Sequence, residues 1–261
     1  MYTHASAILD AAEWLTSIIL PSTYITHFFF YVFSTSFDWF LHSPCAFTFN
    51  LNNMLSLTSI RASNAAFTHS TSHPPVAVFV GGTSGIGEGM ARTFAEHTKG
   101  NSSIIIVGRN RAAADAILAS LPKPAEKDNL KVAREFIQCD VTLMKNVKNT
   151  AQDILSRHSK INYLVMSPGI MTFVGRDETP EGIDKKMAVH YYGRWTFLRE
   201  LLPALEKAKD DGEDAAAMSV FGAGNGGKID VDDLAMKKNY STKNAALALP
   251  TYNDLMMQAR S

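Results

Sequence analysis

From Val76 onward the chain alternates short apolar runs with stretches of helical periodicity, and this alternation constrains the fold more than any other feature of its 261 residues. Val76-Ala-Val-Phe-Val80 is followed by Gly81-Gly-Thr-Ser-Gly-Ile-Gly87 and then by a helical stretch over residues 88–97. The theme repeats. Residues 104–107 precede a helix over 111–121, residues 136–139 one over 144–158, and residues 163–166 one over 182–207, while residues 215–220 form a fifth run. Each intervening stretch is long enough to carry the chain back across a sheet, so neighbouring strands pair in parallel. The expected architecture is α/β, a doubly wound parallel sheet with helices on both faces.

The glycine segment carries the chemistry. Glycines at 81, 85 and 87 let one residue take a positive φ, let the backbone approach a pyrophosphate, and let helix and strand pack closely. Amides at the start of the following helix have no acceptor of their own and meet an anion. Gly81, Thr83, Ser84, Gly85, Ile86 and Gly87 are therefore the candidate cofactor contacts. A tight turn without a ligand is the plain alternative; the position behind a first strand and ahead of four more favours a nucleotide.

Composition removes other classes. With 25 basic and 25 acidic residues the formal net charge is zero, which gives no electrostatic case for nucleic acid. Cys45 and Cys139 are far apart and lack metal-ligand spacing, so neither a disulfide framework nor a zinc site is expected, and Cys139 reads as a buried strand thiol. Residues 1–60 contain no Lys or Arg but many aromatics, notably Phe28-Phe-Phe-Tyr-Val-Phe33. Such a stretch has neither the basic start of a signal peptide nor the arginines of a transit peptide. Residues 14–33 approach the length of a bilayer span, but Pro21 and His27 interrupt them and no basic flank orients them. Residues 1–73 are thus expected to be an extension and linker outside the fold, with Met54 a natural start, and residues 74–261 the nucleotide-binding domain. A cytoplasmic location is expected, with membrane association through residues 14–33 the disfavoured alternative.

From about Val76 to Met257 the sequence resembles the short-chain dehydrogenase/reductase family, most closely a fungal branch. The family loop Thr-Gly-x-x-x-Gly-x-Gly is matched by Val80, Gly81, Gly85, Ile86 and Gly87, with valine in place of the threonine. The resemblance implies a Rossmann-type domain, and one lacking the family's last strands, because relatives continue past the tyrosine helix while this chain stops at Ser261. A truncated product, or an oligomer or other partner covering the open surface, would follow. Arg109 matches the position beside the adenosine ribose, where a guanidinium without a neighbouring carboxylate favours a 2′-phosphate, so NADP(H) is preferred over NAD(H). Asp140 and Val141 match the residues beside the adenine, and Gly169 is what survives of the family's Asn-Asn-Ala-Gly.

For catalysis the resemblance implies Ser219 as the hydroxyl that polarises a substrate carbonyl and Tyr252 as the proton donor. His190 stands where the family has a helix asparagine, and serves either as a proton relay or in helix packing. Met256 stands where the family lysine should be. A lysine charge about 4 Å from the phenol is worth roughly 4 kcal/mol at a surface-like dielectric; without it the phenol is expected near its ordinary pKa of about 10. Tyr240 and Lys243 offer another pairing but follow residues 228–233, which read as an inserted surface loop, so Tyr252 is preferred. The implied activity is hydride transfer between NADP(H) and a carbonyl or alcohol of a small organic molecule, in secondary metabolism. The alternative is a catalytically impaired nucleotide-binding or interaction protein.

Overall fold

The computed structural model describes residues 56–66, 73–124, 131–222 and 225–259. Five strands, β1 (Val76–Val80), β2 (Ser103–Gly108), β3 (Arg134–Gln138), β4 (Tyr163–Met166) and β5 (Ala216–Ser219), form one sheet in the order β3-β2-β1-β4-β5. All four pairings are parallel. The helices are α1 (Leu57–Ala66), α2 (Gly85–His97), α3 (Arg111–Ser120), α4 (Met144–Arg157), α5 (Lys185–Met187), α6 (Gly193–Asp210) and α7 (Thr242–Gln258), with a π-helical segment, Ala188–Tyr192, joining α5 to α6. The expected Rossmann-type doubly wound sheet is observed.

Side chains alternate between the two faces of each strand, and both faces are covered, which is why the central strands read as unbroken apolar runs. Val78, Val80, Ile105, Val107, Leu164 and Met166 pack against Val147, Ala151 and Ile154 of α4 and Phe197, Leu198 and Leu201 of α6. Ala77, Phe79, Ile104, Ile106 and Val165 pack against Met90, Ala91 and Phe94 of α2 and Ala114 and Ile117 of α3. Each such aliphatic or aromatic side chain contributes roughly 1.5–3 kcal/mol by leaving water. A third cluster, with Met187, Met236, Ala245, Leu249 and Tyr252, seats α7 against α5 and the π-helical segment. The chain order reverses between β1 and β4, so the crevice at their C-terminal ends is the switch point where such sheets take ligands.

Several boundaries differ from expectation, each for a local reason. Helix α2 starts at Gly85, three residues before the expected Glu88, because the loop glycines themselves enter the helix. Strand β3 starts at Arg134 rather than Phe136, since Arg134 and Glu135 pair with Ile104 and Ile105 at the polar flank of the sheet. Cys139 lies just past β3 and is buried, as expected, and burial pushes its thiol pKa up. The long helix begins at Lys185 rather than Gly182, because Gly182 takes a φ of +74° and Asp184 caps the turn by accepting from the amides of Lys186 and Met187. Leu143 cannot cap α4, and the Glu181 carboxylate does so instead, 2.6 Å from the Met144 amide and 3.0 Å from that of Lys145. The expected linker contains α1, none of whose residues with described side chains joins a core cluster. Among the described residues no helix is long and apolar enough to cross a membrane, and residues 14–33 lie outside them.

Candidate active site

One end of the crevice is made of backbone. Gly81 leaves β1 with a φ of +85°, and its amide donates to Val107 O at 2.8 Å, tying the loop to β2. A Cβ on Gly81 would stand 2.7 Å from the Pro168 nitrogen, and one on Gly87 would stand 2.5 Å from Gly81 O and collide with Ser167 Oγ. The start of α2 is therefore pressed against the loop that leaves β4. Ser84 gives α2 no side-chain cap. The amides of Gly85, Ile86 and Gly87 have no acceptor within the helix and form the positive end of its dipole. Thr83 rests on the end of β2, where a Cβ on Gly108 would lie 2.8 Å from its methyl group. Arg109 follows, exposed and in no ion pair among the described residues. Asp140 is half-buried, and its carboxylate accepts from the Thr142 amide at 3.0 Å and hydroxyl at 2.8 Å. The neighbouring Val141 O faces Gly193, where a Cβ would come within 3.0 Å.

The other end is made of side chains, of which Arg194, His190 and Asn253 are buried and Ser219 is half-buried. Ser219, at the tip of β5, accepts from Arg194 Nη1 at 2.6 Å and donates to Asn253 Oδ1 at 2.9 Å. Asn253 in turn donates to His190 O at 2.6 Å and Leu249 O at 3.1 Å. Arg194 is 1% exposed and also donates to Met166 O at 3.1 Å, Val220 O at 2.9 Å and Pro168 O at 2.6 Å. His190 Nε2 accepts from the Ile170 amide at 3.1 Å, which puts its proton on the buried Nδ1, where no acceptor is found among the described residues. Burial, then the charges of Arg194 and Lys186, pull its pKa down to about 4, so it is neutral at pH 7. Gly169 is exposed beside it; a Cβ there would lie 3.7 Å from Nε2.

Tyr252 does not meet Ser219. Its hydroxyl donates to Leu234 O at 3.0 Å and its ring lies 5.1 Å from that of Tyr191. Contrary to the expectation of an ordinary value, its pKa is raised, first by burial and then by Tyr192, Tyr191, Asp233 and Asp230. Met256 is 3% exposed and belongs to the core beside α6, so an apolar slot occupies the position expected to hold a lysine. Residues 228–233 are not simply a surface insertion. Asp233 is buried and accepts from the amides of Lys237, Lys238 and Asn239, and Met236 packs into the third core cluster. Tyr240 pairs not with Lys243, which is exposed, but with Lys186, whose Nζ donates to its hydroxyl at 2.9 Å.

A sequence model of the short chain dehydrogenase family matches residues 75–226. The chain belongs to the short chain dehydrogenase family. It is 38% identical to Oxidoreductase AN1596 of Emericella nidulans over 78% of this chain and 58% of that one. It is 34% identical to Oxidoreductase andH of Emericella variicolor, over 74% and 56% respectively. The chain thus spans less than two thirds of the length of these relatives. A metagenomic short-chain oxidoreductase solved in complex with NADP shares the fold, with a TM-score of 0.51, 20% identity, and 72% of this chain and 75% of that one covered.

As a short chain dehydrogenase the chain has a first strand, glycine loop and helix that fit a dinucleotide. The loop is closed in at Gly81 and Gly87, positions that admit no Cβ, and α2 begins without a side-chain cap, as the end of a helix that takes an anion would. Sequence reasoning missed Arg194 and Asn253. Arg194 sits in Gly193-Arg-Trp-Thr-Phe-Leu198, where a charge among apolar helix residues was the available signal. Asn253 follows Tyr252 directly and was hidden by it.

Proposed function

We propose that residues 74–261 form the nucleotide-binding part of an NADP(H)-dependent oxidoreductase acting on a carbonyl or alcohol of a small organic molecule. The observation that carries this reading is the β1 loop, where the missing Cβ atoms of Gly81 and Gly87 let the start of α2 pack directly on the loop that leaves β4 and Ser84 gives the helix no side-chain cap, with Arg109 exposed at the end of β2. Gly81, Thr83, Ser84, Gly85, Ile86 and Gly87 hold the pyrophosphate, and Arg109 grips the 2′-phosphate by charge and bidentate geometry. Asp140 and Val141 border the adenine, and Gly169 leaves room beside His190. When bound, the cofactor supplies or takes the hydride. Ser219 orients the substrate oxygen, and Tyr252 gives it a proton after exchanging its bond to Leu234 O for one to the substrate. The fungal relatives support a place in secondary metabolism. The reading includes a cytoplasmic location, which fractionation without detergent tests.

Full-length protein is incubated with NADPH and a panel of ketones, aldehydes and quinones, and NADPH consumption is followed by absorbance. Turnover that Ser219→Ala and Tyr252→Phe both reduce is expected. A folded protein that binds NADPH but turns over nothing would favour a second reading, an impaired nucleotide-binding or interaction protein. That reading is favoured by Met256, buried in the core where the family places its lysine.

A further inference from the structure

We infer that Arg194 is a positioning residue of the carbonyl site: its guanidinium holds Ser219 and supplies the positive charge that this chain lacks at Met256. The inference rests on the carbonyl-reducing function proposed above. Arg194 bridges the C-terminal ends of β4 and β5, with Met166 O and Pro168 O on one side and Ser219 Oγ and Val220 O on the other. No carboxylate pairs with it among the described residues; its hydrogen-bond partners are three backbone carbonyls and one hydroxyl, its guanidinium lies 5.1 Å from the centre of the Phe221 ring, and its Nε–H has no acceptor. A buried guanidinium without a counter-charge is costly, and apolar packing would be the stable choice for a first helical turn under a sheet. Such an arrangement marks a functional site when it adjoins a candidate reacting group.

The polarity of the bonds gives the role. Arg194 donates to Ser219 Oγ, so the single Ser219 proton points away from it, toward Asn253 Oδ1. Asn253 cannot turn its amide group round, because Nδ2 is held by His190 O and Leu249 O. A substrate carbonyl oxygen that takes the place of Asn253 Oδ1 receives a hydroxyl proton already polarised by a cation 2.6 Å behind it. Negative charge developing on that oxygen is stabilised through Ser219 by the buried guanidinium behind it. Neither Arg194 nor Ser219 gains or loses a proton. Burial lowers the Arg194 pKa and still leaves it a cation at neutral pH.

The test uses full-length protein, NADPH and isatin as the carbonyl probe, with Arg194→Met and Arg194→Lys compared at equal folded fraction. The expected result is an NADPH affinity unchanged in both variants and a kcat lowered about 100-fold by Arg194→Met, with KM nearly constant. Arg194→Lys should recover at least a tenth of the wild-type kcat. Wild-type kcat in Arg194→Met, or a loss that lysine does not rescue, would overturn the inference. If Arg194→Met does not fold, Arg194→Gln, which can still donate to Ser219 but carries no charge, takes its place and is held to the same outcomes. Wild-type protein that binds NADPH but leaves isatin unreduced also overturns it while the cofactor site stands. Absence of NADPH binding would instead remove the function on which it rests.

Discussion

At the β1–α2 end of the crevice the groups that would meet a ligand are the first backbone amides of α2, which no side chain caps, in a loop whose glycines admit no Cβ at 81 and 87. At the β5–α7 end the corresponding groups are buried or half-buried side chains engaged with one another, in a chain running from Arg194 through Ser219 and Asn253 to the backbone carbonyl of His190. The first end is ready to bind and depends on what is missing, namely Cβ atoms at Gly81 and Gly87. The second must exchange internal bonds to receive a substrate and depends on every member keeping its place. Binding and chemistry are thus separable in this fold, and substitutions should divide them.

The largest effect should come from Met256→Lys, which puts back the family residue. The slot is apolar core, so an ammonium there lacks a partner, and the fold should lose several kcal/mol in urea melts without any gain in turnover. A stable, faster Met256→Lys protein would break the comparison by showing that the β5–α7 end readily accepts the usual machinery. Gly87→Val attacks the other end. Its side chain would collide with Gly81 O and Ser167 Oγ, and NADPH affinity measured by calorimetry should fall by at least about 100-fold, with overpacking costing about 1–3 kcal/mol of stability.

A pH titration of stability sharpens the same contrast. His190 has a folded-state pKa of about 4 against an ordinary value of 6.5, so the unfolded chain binds more protons between these values. Stability is full above pH 6.5 and falls as the pH is lowered toward 4, by about 3 kcal/mol in total. His190→Gln should flatten that slope in urea melts at pH 7 and pH 5; an unchanged slope would place the titration elsewhere.

The sheet was legible where burial is complete on both faces. Strands β1 and β4 have the bounds expected from their apolar runs, because nothing polar interrupts them. Strand β3 was misplaced because its first two residues are charged and point to opposite faces of the sheet; Arg134 donates to Gly100 O and Pro122 O, and Glu135 pairs with Arg157 and His158. The glycine loop was legible because a missing Cβ is visible in a sequence. The Arg194 network was not. Its members come from β5, α6, α7 and the π-helical segment, and hydrogen bonds between such distant residues leave no spacing to read. The displacement of Tyr252 toward Leu234 O likewise depends on the fold of residues 225–240, which carry no regular periodicity.

The most direct test of the nucleotide site is a calorimetric titration of the full-length protein and of Arg109→Ala with NADPH and with NADH. The account predicts tighter NADPH binding by the wild type, and in Arg109→Ala a loss of about 10-fold or more for NADPH with NADH little affected. Equal affinities in the wild type would contradict the role of Arg109, and a folded protein that binds neither nucleotide would contradict the account as a whole.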